Sequence, residues 1–564
     1  MRAKLQALRG GGIMIPLAVA ALIVLVAVPI AFVFLQAIFP KIGQGSLAGA
    51  FQNTAETLAD PALLRLTLHT VVLGVVVVLA VAAFAIPLGV FRALFRVPFA
   101  ALWDFIFLVP FLIPPYIATL GWILSLEPGG YLTQLADMNG GPFLFSFAGI
   151  VFVMAFNVFP VVYFAVSRTV AAVGGRYADV ARVFGASSWT ALRRITLPLA
   201  LPGIVASLLL VFAMTIEEFG TPAALGHTAG FTVLVTSIEA KLADWPVDLP
   251  GAAMLSVILV ALAIGAFQIQ LRILARRSYE TTGSRPQPIV PRALGRFTVP
   301  VVGAFILAAL LGTVIPVAAI VATALSRTLS GGLVAGNLGL QNFALILADE
   351  SGARGALINS LGLGLATALV TGILGAAASY GVVKTRFRGR KVLDALTVLP
   401  NAIPGVVLAV GLILAWNQPA LPITPYNTRL MLLFAYCCLL LPFPVRYANA
   451  ALRQIGDSLE AAARVAGASP LTSFRRIVVP LIMPSLLSAM LLVFAVASRE
   501  LVASILVAPV GMQTIASFIW QQFEQGSVEL GMAMSAVAIF ITAVIPLAVM
   551  LAARRLFAGL MIEG

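Results

Sequence analysis

The chain has 564 residues, 61% of them hydrophobic and only 10% charged, with a mean hydropathy of +1.07. Soluble domains carry roughly 25% charged residues, so a soluble globular fold is excluded and the chain reads as a membrane protein. A formal charge of +14 would suit a nucleic-acid partner, but the distribution of the basic residues along the chain argues against one.

A membrane-spanning helix needs about 20 mostly apolar residues, and twelve such stretches follow one another. Six lie near residues 13–39, 66–91, 102–125, 143–167, 204–226 and 250–272. Six more lie near 298–325, 356–383, 393–416, 429–449, 485–508 and 528–553. The first follows the basic segment "MRAKLQALRGGG" and runs to Phe39, longer than the roughly 7–15 apolar residues of a secretion signal, so it is read as an uncleaved span. Pro110, Pro114 and Pro115 in the third stretch, and Pro400 and Pro404 in the ninth, are expected to break or kink their helices. Such breaks are tolerated where the freed backbone is buried in protein or lines a wet path.

With the amino end inside, only Lys41, Arg65, Lys241, Arg327, Arg354 and Arg429 fall on outer segments and Arg499 falls within a span; the rest of the 35 Lys and Arg residues lie on inner segments. Basic residues collect on the cytoplasmic side of membrane proteins, so the surplus orients the chain and no nucleic-acid partner is expected. Cys437 and Cys438 are adjacent within the tenth span and offer neither a disulfide framework nor metal-ligand spacing. They are read as small apolar fillers. His69 and His227 are too few and too far apart to form a site.

The chain repeats itself. "YADVARVFGASSWTALRRITLPLALPG" (177–203) aligns without gaps with "LEAAARVAGASPLTSFRRIVVPLIMPS" (459–485), nearly half of the positions being identical. At the same offset Pro160 meets Pro442 and Glu218 meets Glu500; upstream a slightly longer offset matches Asp104 with Asp394, Pro110 with Pro400, Pro114 with Pro404 and Gly121 with Gly411. Residues 1–272 and 298–564 thus form two six-span halves joined by a polar, Pro-bearing, basic linker at 273–297. Six spans is an even number, so the halves are parallel and related by an axis along the membrane normal. The expected fold is an all-α membrane protein of about twelve transmembrane helices in two parallel six-helix repeats.

Each repeated segment falls on the inner face and reads as a short helix, a tight turn and a second short helix. Gly185 and Gly467 suit the left-handed position that ends a helix. Ser187 and Ser469 suit the following N-cap. Pro198 and Pro202, with Pro480 and Pro484, are expected to stop the second helix and redirect the chain into the membrane. An interfacial elbow whose arginines (Arg193, Arg194, Arg475, Arg476) meet lipid phosphates is one reading of such a segment; its duplication favours a contact with a partner.

"EAAARVAGAS" from Glu460, followed by "RRIVVPLIMP", resembles the EAA coupling loop of importer-type ABC transporter permeases, and both six-span halves are similar to the permease domain of that family. The first copy, "YADVARVFGAS", carries its acid one position later, at Asp179. The resemblance implies that Asp179, Ala181, Gly185, Ser187, Arg193, Arg194 and Pro198, with Glu460, Ala461, Ala462, Gly467, Ser469, Arg475, Arg476 and Pro480, contact two separate ABC ATPase subunits that bind ATP and Mg. It also implies a periplasmic solute-binding protein and a multi-pass place in a bacterial inner membrane, both termini cytoplasmic. No Gly-x-x-x-x-Gly-Lys-Ser/Thr phosphate loop occurs in the chain, so no ATP hydrolysis and no cofactor are expected of it. "LSGG" at Leu329–Gly332 imitates part of an ATPase signature by chance in an outer loop.

Ionisable residues inside spans mark pathways by default. Glu217 and Glu218 in the first half, and Arg499 and Glu500 in the second, are therefore candidates for a translocation path. They are equally open to a reading in which Arg499 neutralises the acids and the set pins helices together. Asp104 and Asp394 are read as contacts at the inner helix ends. No metal site is assigned. The fused length and "EEFGTPAALG" resemble ferric-iron importer permeases, with thiamine or polyamine import by the same architecture as an alternative. A secondary transporter of the major-facilitator layout also has two parallel six-span halves, but it predicts no duplicated coupling loop.

Overall fold

The computed structural model describes residues 14–173, 176–276, 291–348, 352–385, 387–419 and 421–562. Most of the linker at 277–290 lies outside them. In chain order the principal helices are α1 (Met14–Ile38), α2 (Pro61–Leu94), α3 (Ala100–Leu112), α4 (Pro115–Leu126), α5 (Phe147–Val173), α6 (Arg176–Val183), α7 (Ser188–Glu217), α8 (Gly220–Gly226), α9 (Leu249–Arg276) and α10 (Gly295–Leu325). The second half continues with α11 (Ala353–Lys384), α12 (Arg390–Val398), α13 (Gly405–Trp416), α14 (Arg429–Leu440), α15 (Pro442–Leu452), α16 (Asp457–Val465), α17 (Leu471–Ala497), α18 (Val502–Val507) and α19 (Val528–Ile562).

Among the described residues nine helices are long and apolar enough to cross a membrane, and twelve if three bent pairs each count as one span. All twelve overlap the stretches expected from hydropathy, but the fifth and eleventh begin earlier, at Ser188 and Leu471, and end earlier, at Glu217 and Ala497, than the expected 204–226 and 485–508. The third and ninth are bent, by 99° between α3 and α4 and by 116° at the break before α13, where Pro114, Pro115 and Pro404 remove amide donors and clash with the preceding turn. The tenth is bent by 44° between α14 and α15, whereas α5, carrying the matching Pro160, is one unbroken helix. Pro442 is followed two residues later by Pro444, and Pro160 by Val162. The second missing amide accounts for the difference.

The chain packs as two units: residues 60–237 with 261–339, and residues 1–59 with 238–260 and 340–564. The packing unit is thus not the sequence repeat, because each unit takes in the opening helix of the other half. In the unit of the first repeat α4 is buried along its whole length from Tyr116 to Leu126 and lies against α10. A Cβ at Gly121 would stand 2.6 Å from the Pro316 carbonyl oxygen of α10, so only glycine permits the approach. The other unit reproduces this contact between α13 and α1, with Gly411 2.6 Å from the Pro29 carbonyl oxygen by the same measure. Both prolines follow a π-helical turn, Ile23–Ala27 in α1 and Leu310–Val314 in α10.

The long α2 packs on α5 and α7, and α11 packs likewise on α15 and α17. Cys437 and Cys438 are free thiols buried in the core of their unit. His69 donates or accepts through Nδ1 at 2.9 Å from the Thr232 carbonyl and stacks on Phe231, a structural placement.

Candidate functional site

The repeated segments fold alike, for reasons written in their backbones. In the first, α6 ends where Gly185 takes φ +89°; in the second, α16 ends at Gly467 with φ +82°. A Cβ at either position would meet nothing within 4 Å. The requirement for glycine is therefore conformational, since L-residues with a branched side chain are strained in the left-handed region. The Ala186 amide closes the turn onto the Ala181 carbonyl at 3.0 Å, and the Ala468 amide onto Ala463 at 2.9 Å. Ser187 then caps the next helix by accepting from the Thr190 amide at 3.1 Å, as Ser469 accepts from the Thr472 amide at 3.2 Å. In each copy the same Ser hydroxyl lies 2.8 Å from the Thr hydroxyl three residues on.

The second helix of the segment does not stop at the prolines. α7 runs unbroken for 30 residues from Ser188 and α17 for 27 from Leu471, so the turn and the fifth span of each half are one rod. A π turn, Leu192–Thr196 or Phe474–Val478, immediately precedes Pro198 or Pro480. The wider i→i−5 bonding relieves the clash and the missing donor that would otherwise end an α-helix at proline. The chain breaks instead at the far end of the rod, just after Glu217 and Ala497.

There Glu218 and Glu500 have a defined task. Both carboxylate oxygens of Glu218 accept from the Thr221 amide at 3.1 Å, at the start of α8. Oε2 of Glu500 accepts from the amides of Ala503 and Ser504 at 2.9 and 3.2 Å, at the start of α18. Each is the side-chain cap of a short buried helix following the break, and a carboxylate accepting from amides makes a charge-assisted bond of the stronger kind. Hydroxyl pairs tie these short helices to their own units, Thr221 to Thr119 at 2.9 Å and Ser504 to Tyr436 at 2.6 Å. Glu217 and Arg499, at matching positions, are half-buried.

The repeated segments present side chains of two kinds. Arg193, Arg194, Arg475 and Arg476 are exposed, as are Ala461, Ala462, Pro198 and Pro480, while Ala181 is half-buried. Glu460 is turned inward: it is 3% exposed, and the Tyr380 hydroxyl donates to its Oε2 at 2.8 Å, holding α16 to α11. The side chain of Asp179 lies outside the described residues. What motif matching missed is a set of bare apolar side chains beside the glycines: Val183 and Phe184, each 85% exposed, and Trp189, with Val465 at 91% in the second copy. Their signal in the sequence was an apolar residue at the polar end of an amphipathic turn, and among the described residues these side chains stay exposed. Among the described residues no three His, Cys, Asp or Glu side chains gather as a metal-holding group.

The model of the binding-protein-dependent transport system inner membrane component family matches residues 85–278 and 368–561. The chain belongs to this family. Each match contains one bent third span, one glycine-closed turn, one continuous rod and one Glu-capped break, so the family unit and the repeated architecture coincide. A ferric transport system permease protein of Actinobacillus pleuropneumoniae is 26% identical over 446 residues, covering 77% of this chain and 63% of that protein. A putative ferric transport system permease protein of Haemophilus influenzae is 28% identical over 399 residues, covering 69% and 61%. The chain thus spans somewhat less than two thirds of the length of these two relatives. A second Haemophilus influenzae protein, an Fe(3+)-transport system permease, is 25% identical over 512 residues, covering 89% of this chain and 91% of its own length. Family membership decides against the major-facilitator alternative and for a multi-pass inner-membrane permease.

Proposed function

We propose that this permease is the membrane-spanning subunit of an ATP-driven, binding-protein-dependent importer, with ferric iron as its solute and with its glycine-closed turns facing the cytoplasm. The observation that carries the proposal is the rod: a turn bearing bare apolar side chains is continuous, through α7 or α17, with the capped break inside the span. At 1.5 Å per residue the 30 residues of α7 reach about 45 Å, more than the hydrocarbon thickness of about 30 Å. A push on Trp189 or Leu471, exposed at the head of each rod, is therefore delivered along one continuous helix to the break at Glu218 or Glu500.

Two ATPase subunits, one for each turn, would cover Val183, Phe184 and Trp189 in the first copy and Val465 in the second, with Arg193, Arg194, Arg475 and Arg476 at the rim. ATP and Mg belong to those subunits; this chain moves the solute and hydrolyses nothing. A periplasmic solute-binding protein would deliver Fe3+ to the outer loops. ATP-driven closure of the motors would draw the turns together and open the spans outward, and hydrolysis would reset them. The names of the relatives support iron over thiamine or a polyamine.

Reconstitution with an ATPase subunit and a solute-binding protein from the same organism tests this reading. ATP-dependent uptake of radiolabelled Fe3+ into vesicles is expected, with thiamine and polyamines failing to compete. Uptake independent of ATP would overturn the importer reading, and competition by thiamine would overturn the choice of solute.

A further inference from the structure

We infer that the first repeat carries a binding site for the headgroup of an anionic phospholipid, in a cavity at the end of its unit that bears the repeated turn. The cavity has a volume of about 550 Å³ and is lined by Arg92, Asp104, Ser167, Arg168 and Pro291, with Phe105 and Leu108 at its side. It lies beside the turn: α5, which supplies Ser167 and Arg168, ends three residues before α6 begins. Pro291 belongs to a strap that pairs with the end of α2. The Arg96 amide donates to the Arg292 carbonyl at 2.8 Å and the Arg292 amide to Leu94 at 3.0 Å, while Nη1 of Arg292 reaches the Ser188 hydroxyl at 3.0 Å.

Charge and shape select the ligand. Asp104 is bound by Arg92, through Nε at 3.0 Å and Nη2 at 2.7 Å, and also accepts from the Tyr163 hydroxyl at 2.7 Å. That pair is neutral and fixes the Arg92 guanidinium with Nη1 outside it. Arg168 is exposed, and no carboxylate of a described residue pairs with it. The cavity therefore has one positive charge in excess, with two guanidinium groups and a hydroxyl, the donor set that holds a phosphate. Phe105 is 65% exposed and Leu108 40%, an apolar wall open to the acyl region. Basic pockets between helices at the cytoplasmic end of spans suit anionic headgroups. A zwitterionic headgroup would bring its own cation to the surplus charge and is disfavoured. At the matching positions of the second repeat Arg92 and Arg168 are replaced by Val382 and Ala450, so this pair of guanidinium groups occurs once in the chain.

The full-length protein, released from nanodiscs of equal phosphatidylglycerol and phosphatidylcholine, is examined by native mass spectrometry for the lipids it keeps. Wild type is expected to retain phosphatidylglycerol preferentially. Arg168→Gln should lower that preference about fivefold, matching the ~1 kcal/mol that one basic side chain contributes to attraction for anionic lipid. Arg390→Gln, which removes an exposed charge outside the cavity, should leave it unchanged. Equal retention of the two lipids by wild type, or an equal loss in Arg390→Gln, would overturn the site. Displacement of the lipid by millimolar inorganic phosphate would overturn the lipid as its ligand. Lipid retention is read without transport, so failure here leaves the importer proposal standing.

Discussion

The two repeats build the same turn from the same residues and place different side-chain clamps among the helices beside it. Gly185 and Gly467, Ser187 and Ser469, Pro198 and Pro480 do identical backbone work in both copies. Around the helix ends beside the turn the agreement stops. In the first unit Arg92–Asp104–Tyr163 clamps α2, α3 and α5 together. In the second, Val382 and Val445 stand at the matching positions of Arg92 and Tyr163, and the clamp is instead Tyr380–Glu460, joining α11 and α16. By the register that matches Gly364 with Gly74, the first repeat has Val90 where Tyr380 stands. A backbone conformation has few chemical solutions, so its residues recur. A side-chain clamp has many, so its residues drift even when the need for one persists.

The sharpest way to break the comparison is to attack what is shared. Gly185→Val with Gly467→Val is expected to abolish solute-stimulated ATPase activity, because a branched residue at this φ costs about 1–3 kcal/mol at each turn. Normal stimulation in the double variant would mean that the turns are not the coupling element. Attacking what differs should act on one copy only. Tyr380→Phe withdraws a buried donor from Glu460 at a cost of about 1–3 kcal/mol, read as a loss of amide-exchange protection over residues 457–465 on the order of tenfold, with residues 176–183 unaffected. Equal loss in both segments would remove the distinction between the two clamps.

The capped breaks come next. Glu218→Gln and Glu500→Gln keep an acceptor for the helix amides but lose the charge, and each is expected to cost about 1 kcal/mol, seen as a small fall in Tm of equal size in the two variants. If uptake collapses while Tm stays unchanged, the carboxylates act on the solute and not only on the backbone. The smallest effects are expected at the serine caps: Ser187→Ala and Ser469→Ala should each cost ~1 kcal/mol, detectable as fraying of the amides at 190 and 472 with transport retained. A large effect at only one of the two would show that the turns are unequal in use.

Much of this was legible in the sequence. The twelve stretches, the two broken spans, the repeat and the left-handed glycines follow from hydropathy, proline chemistry and self-similarity, all of which act over a few residues or over a whole membrane thickness. The course of the chain at Pro198 was not legible. Proline was expected to end the helix there, and a π turn keeps it whole instead, because tertiary packing of α7 and α17 makes an unusual turn less costly than a break. The inward turn of Glu460 and the outward display of Val183 and Phe184 were hidden for a related reason: one amphipathic segment is compatible with either face until its neighbours are in place.

By itself the sequence determined that this chain lies in a membrane, how often it crosses, and where its backbone must turn, because solvent transfer and steric limits are local properties of residues. Only the tertiary structure decided which helix lies against which. It placed the opening helix of each half in the unit of the other, with Gly121 against Pro316 and Gly411 against Pro29. It also assigned Glu218 and Glu500 to amides three or four residues ahead of them. Contacts of this kind are settled by shape and by the pairing of buried polar groups, and those exist only once the helices have met.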